Sequence, residues 1–209
     1  GNHSLNSVYN FTYAYTVVPL KYILSPYAPG NEGCFKPISV IAPEGSIVNA
    51  TKPVAVGHRV LVGHFLHASI YRALAPVIPK KVQADSGSCP NWSSAWISIG
   101  KEADASFTQL LFNAGGQGAR PHIDGNSCTP FPSNVNNAPI EVVERECPVR
   151  FERKEFRCDS GGAGEFRGGL GQRSELRCLS DTPVLVTVRC DRVLDPEHAA
   201  KGLFGGKAG

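Results

Sequence analysis

The sequence has no methionine anywhere in its 209 residues, not even at position 1. A chain of this length without an initiator is expected to be a piece of a longer polypeptide, and the end "KGLFGGKAG" likewise reads as a stop in mid-loop. No run of eighteen apolar residues occurs, so no membrane span is expected. Charge is scarce at 19%, and lysine and arginine exceed aspartate and glutamate by only 21 to 18. The densest basic stretches, "RFERKEFR" and "GQRSELR", are interleaved with glutamates and read as solvated strand faces. That is too weak a bias to argue for a nucleic-acid partner, and none is expected. The seven cysteines form no C-x-x-C pair. A paired zinc site is disfavoured, and reduced thiols of a cytoplasmic protein are expected. Four N-x-S/T sequons, at Asn2, Asn10, Asn49 and Asn91, are read as accidental.

Glycine (22) and proline (16) are abundant, so turns and loops take a large share of the chain. Residues 5–24 carry Val8, Phe11, Tyr15, Val18 and Ile23 at helical spacing. Asn6 or Ser7 is the expected cap, and Pro19 is expected to kink or interrupt the helix. "ISVIAP" reads as a short buried strand. The clearest helix covers residues 57–75, with Val60, Leu61, His64, Phe65, Ala68, Ile70, Tyr71 and Leu74 on one face and Pro76 ending it. Beyond Pro79, "SAWISIGK", "SFTQLLFNAGG", "IEVVERE", "VRFERKEFR", "SELRCL" and "VLVTVRC" read as strands. The expected class is α+β: one or two helices in the first third, then mostly antiparallel sheet. The expected division is a helical part over 1–80 and a β-rich part over 81–209, within a single domain or a fragment of one.

One stretch, "DSGGAGEFRGGLGQ" over 159–172, holds six glycines. A phosphate-cradling loop needs a following helix, whose first N–H groups are free. Here a strand is expected next. The P-loop pattern lacks its Lys-Ser/Thr, and Arg167 stands where G-x-G-x-x-G needs glycine. The stretch is a backbone device: its glycines allow positive φ or close backbone approach.

The polar residues gather elsewhere. "HIDGNSCTPFPSNVNNAPIEVVE" brings His122, Asp124, Asn134, Asn136, Asn137, Glu141 and Glu144 into one irregular stretch, the kind of segment that carries sites on a rigid scaffold. His122 suits a general base or metal ligand, Asp124 lies on the same side two residues on, and Glu141 could bind a metal or orient water. These three are the candidate catalytic residues. Asx turns are the competing reading. His64 and His67 read as packing residues, and Cys34 as a buried small residue. His58 and Arg59 could meet an anion at the helix start or simply cap it.

Three blocks resemble one family. They are "NEGCFKPISVIAPEGSIVNATKPVAVGHR", the long block from "GARPHIDG" through "DSGGAGEFRGGLGQRSEL", and "KGLFGGKAG". In this order they resemble the hydantoinase B / 5-oxoprolinase family, the B-type subunits of N-methylhydantoinases, oxoprolinases and acetone or acetophenone carboxylases. The resemblance implies an A-type partner subunit that binds ATP and phosphorylates an amide, imide or ketone oxygen. The B-type subunit then opens the ring or carboxylates the activated molecule. It also implies a cyclic amide or ketone substrate, and a divalent metal whose ligands lie in an N-terminal part of the subunit outside this chain. This chain would correspond to the C-terminal half and be inactive alone. The alternative is a non-catalytic assembly module that binds the rest of the subunit or the ATP-binding partner.

Overall fold

In a computed structural model of the chain, residues 4–87, 93–99, 106–192 and 199–209 are described. The fold is α+β, with helices mostly early and antiparallel sheets after them. Two compact units divide the chain, residues 1–83 and 84–209.

The first unit is built on α1 (Tyr9–Leu24) and α3 (Arg59–Leu74), with one short turn of helix, α2 (Glu32–Phe35), between them. The face of α3 that buries is not the one the apolar residues suggest. Gly63, His67 and Tyr71 are its buried residues, at i, i+4 and i+8, and Ala75 continues the stripe. Glycine at 63 is required because a Cβ there would come within 2.6 Å of the Tyr15 ring. The aromatic ring of α1 takes the place that a side chain on α3 would fill.

Neither expected cap acts on α1. Its N-cap is Val8, which makes no side-chain cap bond. Asn6 and Ser7 are buried and spend their polar groups on the loop that follows α2. Asn6 Nδ2 donates to the Ala55 carbonyl at 3.1 Å. Ser7 exchanges backbone bonds with Ile47 and Ala50 at 2.7 and 2.9 Å. Thr12 Oγ1 donates to Val48 O at 2.6 Å. Pro19 does not interrupt the helix, which runs unbroken to Leu24 with Pro19 buried in it. Residues 38–43, expected as a strand, have no strand pairing and leave Ile41 94% exposed. Side chains hold this loop instead: Tyr9 Oη donates to Val40 O and Asn49 Nδ2 to Ala42 O, both at 2.9 Å.

The second unit carries two small sheets. β1 (Ser93–Ser98) is the centre of an antiparallel sheet of order β2-β1-β5, with β2 at Thr108–Phe112 and β5 at Val184–Arg189. β3 (Val149–Phe156) pairs with β4 (Gln172–Cys178), with a register irregularity between Phe151 and Arg153. The remaining element is a correction. "IEVVERE" is not a strand but helix α4 (Ile140–Glu146). Its valines suggest β structure, but Val143 and Cys147 recur at helical spacing and are buried at 1% and 5% exposure. With Leu111 and Val149 they form a core, against which Trp96, Phe107, Phe151 and Leu176 pack. Glu141 in the first turn favours the helix through its dipole.

Outside the sheets, glycine-rich segments run side by side without forming strands. Their hydrogen bonds recur every third residue. Gly125 and Cys128 donate to the Arg167 and Leu170 carbonyls, while Ala84 and Gly87 donate to those of Ala119 and Gly116, all at 2.8 Å. Three residues is the period of an extended polyproline-II chain, not of a pleated strand. Such segments can lie this close only where a side chain is missing. A Cβ on Gly116 would stand 1.8 Å from the Gly169 carbonyl oxygen, and one on Gly169 would stand 2.0 Å from that of Asn126. Within residues 159–172, Gly161, Gly162 and Gly169 therefore serve close approach, each with backbone within 2.3 Å of where a Cβ would stand. Among the described residues the positive-φ glycines are Gly45 and Gly205, outside that stretch.

Candidate functional site

The segment expected to carry chemistry is fastened to this glycine layer. Arg120 and Ile123 form an isolated bridge, with Arg120 N–H donating to Ile123 O at 3.0 Å, and Pro121 and His122 make the turn between them. Proline suits the second position of such a turn because its φ is already set. The arginine side chain closes the loop from below, with Nη2 donating to Asp124 O at 3.1 Å and to Asn126 Oδ1 at 3.3 Å. Asp124 Oδ1 accepts the Arg167 N–H at 2.8 Å, and Gly125 N–H donates to the Arg167 carbonyl. Both polar backbone groups of Arg167 are thus held by two adjacent residues of the "HIDG" loop.

His122 lies exposed at the tip of the turn, and Asp124 is exposed but engaged with Arg167. Glu141 is exposed in the first turn of α4. Among the described residues no hydrogen bond or ion pair joins these three side chains. The asparagines do structural work where partners are visible: Asn137 Oδ1 accepts from Gln172 Nε2 at 3.1 Å, and Asn134 takes a left-handed φ of 54° with its N–H on Pro130 O. Glu144 Oε1 accepts the Phe151 N–H at 2.7 Å and so ties α4 to β3. Among the described residues no three His, Cys, Asp or Glu side chains gather to hold a metal ion. The described residues therefore do not fit a metal centre.

The histidines of α3 are packing residues by geometry. His67 lies 4.5 Å from the Tyr71 ring, edge to face, and burial lowers its pKa to about 4. Burial pushes Tyr71 up to about 12, with Tyr22 adding to the rise. His64 stacks on Tyr15 at 6.3 Å. His58 is the N-cap residue of α3, but its side chain makes no cap bond and meets Ser4 Oγ through Nδ1 instead. Burial raises the Cys147 and Cys128 thiols, which keeps both protonated and poor as nucleophiles. Cys34 N–H is capped by Asn31 Oδ1, and the described cysteines are free.

One buried ion pair carries no mark in the local sequence. Arg192 Nη2 meets Asp85 Oδ2 at 2.9 Å, with side chains only 10% and 11% exposed. Nη1 of the same arginine donates to Ser86 O at 3.0 Å, and the Ser86 hydroxyl accepts from Gly118 N–H. Arg192 takes a left-handed φ of 56° to make this reach. A non-glycine residue there costs energy that the surroundings must offset. No local motif links residues 107 positions apart.

Comparison with known proteins places these observations. Residues 1–209 match the family described as Hydantoinase B/oxoprolinase, and the chain belongs to that family. An uncharacterised protein of Methanocaldococcus jannaschii is 35% identical over 205 residues, which is 96% of this chain and 35% of that protein. The caprolactamase subunit beta of Pseudomonas jessenii is 32% identical, over 82% of this chain and 31% of the subunit. A 5-oxoprolinase of Dictyostelium discoideum is 29% identical, over 97% of this chain and 15% of the enzyme. The chain thus spans about a third or less of these relatives. The fold is shared with a nucleotide-free acetone carboxylase, at a TM-score of 0.72 and 20% identity over 90% of this chain and 26% of the other.

Proposed function

We propose that this chain is part of the B-type subunit of an ATP-dependent enzyme that hydrolyses a cyclic amide or carboxylates a ketone. One observation carries the reading: the family match runs through the whole chain, and relatives named for caprolactam and oxoproline hydrolysis align over most of it. Both named substrates are lactams, so ring opening of a lactam-like amide is the favoured half of the proposal. An amide carbonyl resists water because its nitrogen donates electron density. Phosphorylation of its oxygen by ATP would weaken that donation: water then adds at the carbonyl carbon, the ring C–N bond breaks with the nitrogen leaving as a protonated amine, and a second water releases phosphate from the acyl phosphate that remains. The A-type partner would bind the ATP, and the rest of the B-type subunit would complete the site. A divalent metal belongs to the proposal only as a component of that larger assembly. The reaction is expected to run in the cytoplasm, where ATP is abundant. Within the chain, His122 is proposed to take the proton from the attacking water and Glu141 to orient that water. Asp124 would act as a positioning residue that fixes the loop.

A second reading has its own support. Asp124 is spent on Arg167, Glu144 on Phe151 and Asn137 on Gln172, while His122 and Glu141 face solvent. These features favour an assembly module over a catalytic loop. Turnover of lactam and ATP by the full A–B complex separates the two. In the catalytic reading, His122→Ala and Glu141→Gln each lower kcat by about 100-fold or more with the complex intact. Unchanged turnover in both variants supports the module instead. No lactam-, hydantoin- or ketone-dependent ATP turnover in the wild-type complex overturns the enzymatic reading itself.

A further inference from the structure

Strand β5 is an edge of its sheet, since the order is β2-β1-β5. It pairs with β1 from Val184 to Arg189 without a register shift. In an antiparallel ladder, hydrogen-bonded pairs alternate with non-bonded ones. The Ile99 N–H donates to Pro183 O at 3.0 Å. By that alternation Leu185, Thr187 and Arg189 turn their backbone groups toward β1. Val184, Val186 and Val188 turn theirs to the open edge, and among the described residues no strand pairs there. The side chains match this openness: Leu185 is 50% exposed, Val186 40% and Val188 60%. Because neighbouring residues point to opposite faces, both faces of β5 are uncovered.

Isolated proteins blunt such an edge with lysine, proline, a bulge or a very short strand. "VLVTVR" is six residues long, without lysine, proline or bulge. We propose that β5 is an acceptor edge: it takes a further β-strand, with apolar residues at alternate positions, from the portion of the B-type subunit that lies outside this chain. Backbone bonds at Val184, Val186 and Val188 would supply the register, and apolar side chains flanking β5 would cover its valines and leucine. The choice of occupant rests on the family reading above and on length. The matched segment makes up only 31% and 35% of two relatives, so those proteins have ample chain to provide the strand. A second copy of this chain is the competing occupant.

Amide hydrogen exchange tests the proposal, read by NMR at Val186 and Val188. The 209-residue chain is compared with the chain extended by the neighbouring coding sequence of its own gene. The proposal expects both amides to exchange freely in the chain alone at all concentrations and at least 100-fold more slowly in the extended protein. A Val188→Lys substitution should leave the melting temperature of the chain alone unchanged and lower that of the extended protein. Free exchange in the extended protein overturns the proposal. So does protection that appears in the chain alone as its concentration rises, because the occupant is then a second copy. No substrate enters the measurement. Failure here leaves the enzymatic reading standing, and absence of turnover beside a protected edge sinks only that reading.

Discussion

The Asp85 carboxylate and the Arg192 guanidinium meet at 2.9 Å across 107 residues of sequence, each about nine-tenths buried. The pair joins the start of the second unit to the end of β5. Removing one member leaves the other as a buried charge. Arg192→Met is therefore expected to destabilise the chain by about 3–5 kcal/mol, more than the pair itself contributes. Urea unfolding of both proteins gives the number. A loss below about 1 kcal/mol would mean that water or another group takes over the Asp85 carboxylate.

The glycine layer makes a prediction with an internal control. A methyl group at Gly169 would stand 2.0 Å from the Asn126 carbonyl oxygen, whereas one at Gly30 would meet nothing within 4 Å. Gly169→Ala is expected to cost about 3 kcal/mol or more, because backbone must move to admit it. Gly30→Ala should be neutral or slightly stabilising through the unfolded chain. Thermal unfolding of the two variants side by side decides the point. Equal effects would contradict the close approach of the two segments.

Asp124 is expected to act through its Oδ1, which holds the Arg167 N–H at 2.8 Å. Asp124→Ala should cost about 1–2 kcal/mol and loosen the "HIDG" loop. Asp124→Asn keeps an oxygen in place and should recover most of the loss. Exchange of the Arg167 amide reports the bond directly. Rapid exchange in the alanine variant alone is the expected pattern. Equal exchange in wild type and both variants would remove Asp124 from the loop's anchorage.

Acid should weaken the first unit through His67. Its pKa is lowered from 6.5 to about 4 by burial, so between those values the unfolded chain binds the extra proton. Stability is then full above about pH 6.5, falls as pH drops toward 4, and levels off below that. The total loss is about 3 kcal/mol. His67→Gln should flatten this part of the stability-versus-pH curve. A wild-type curve already flat between pH 4 and 6.5 would show that the imidazole reaches solvent when folded.

The sequence disclosed the elements whose pattern is local. α1, α3 and the five described strands lie where periodicity and turn residues put them. The errors share a cause in partners distant along the chain. Ser7 looks like a helix cap, but its backbone is claimed by Ile47 and Ala50. Residues 38–43 have the composition of a strand and no neighbour to pair with. Residues 140–146 have β-branched side chains, yet the burial of Val143 and Cys147 on one face makes a helix the better fit. The glycine stretch was legible as a backbone device, though not the three-residue hydrogen-bond period around it, which depends on segments 29 to 42 residues apart. His122, Asp124 and Glu141 were legible as polar residues in an irregular segment. Their side-chain partners were not, because the Arg167 backbone and the solvent leave no mark in the local sequence. The Asp85–Arg192 pair was invisible for the same reason.

The proposed role of this chain is in an ATP-dependent opening of a cyclic amide. The most direct measurement is the stoichiometry of that reaction in the full A–B complex containing this chain. Lactams and hydantoins of graded ring size are supplied with ATP, and ring-opened product and ADP are counted together. The account predicts ADP release that depends on a cyclic amide and matches ring-opened product one to one. ADP release indifferent to every cyclic amide, or ring opening without ATP, would contradict it.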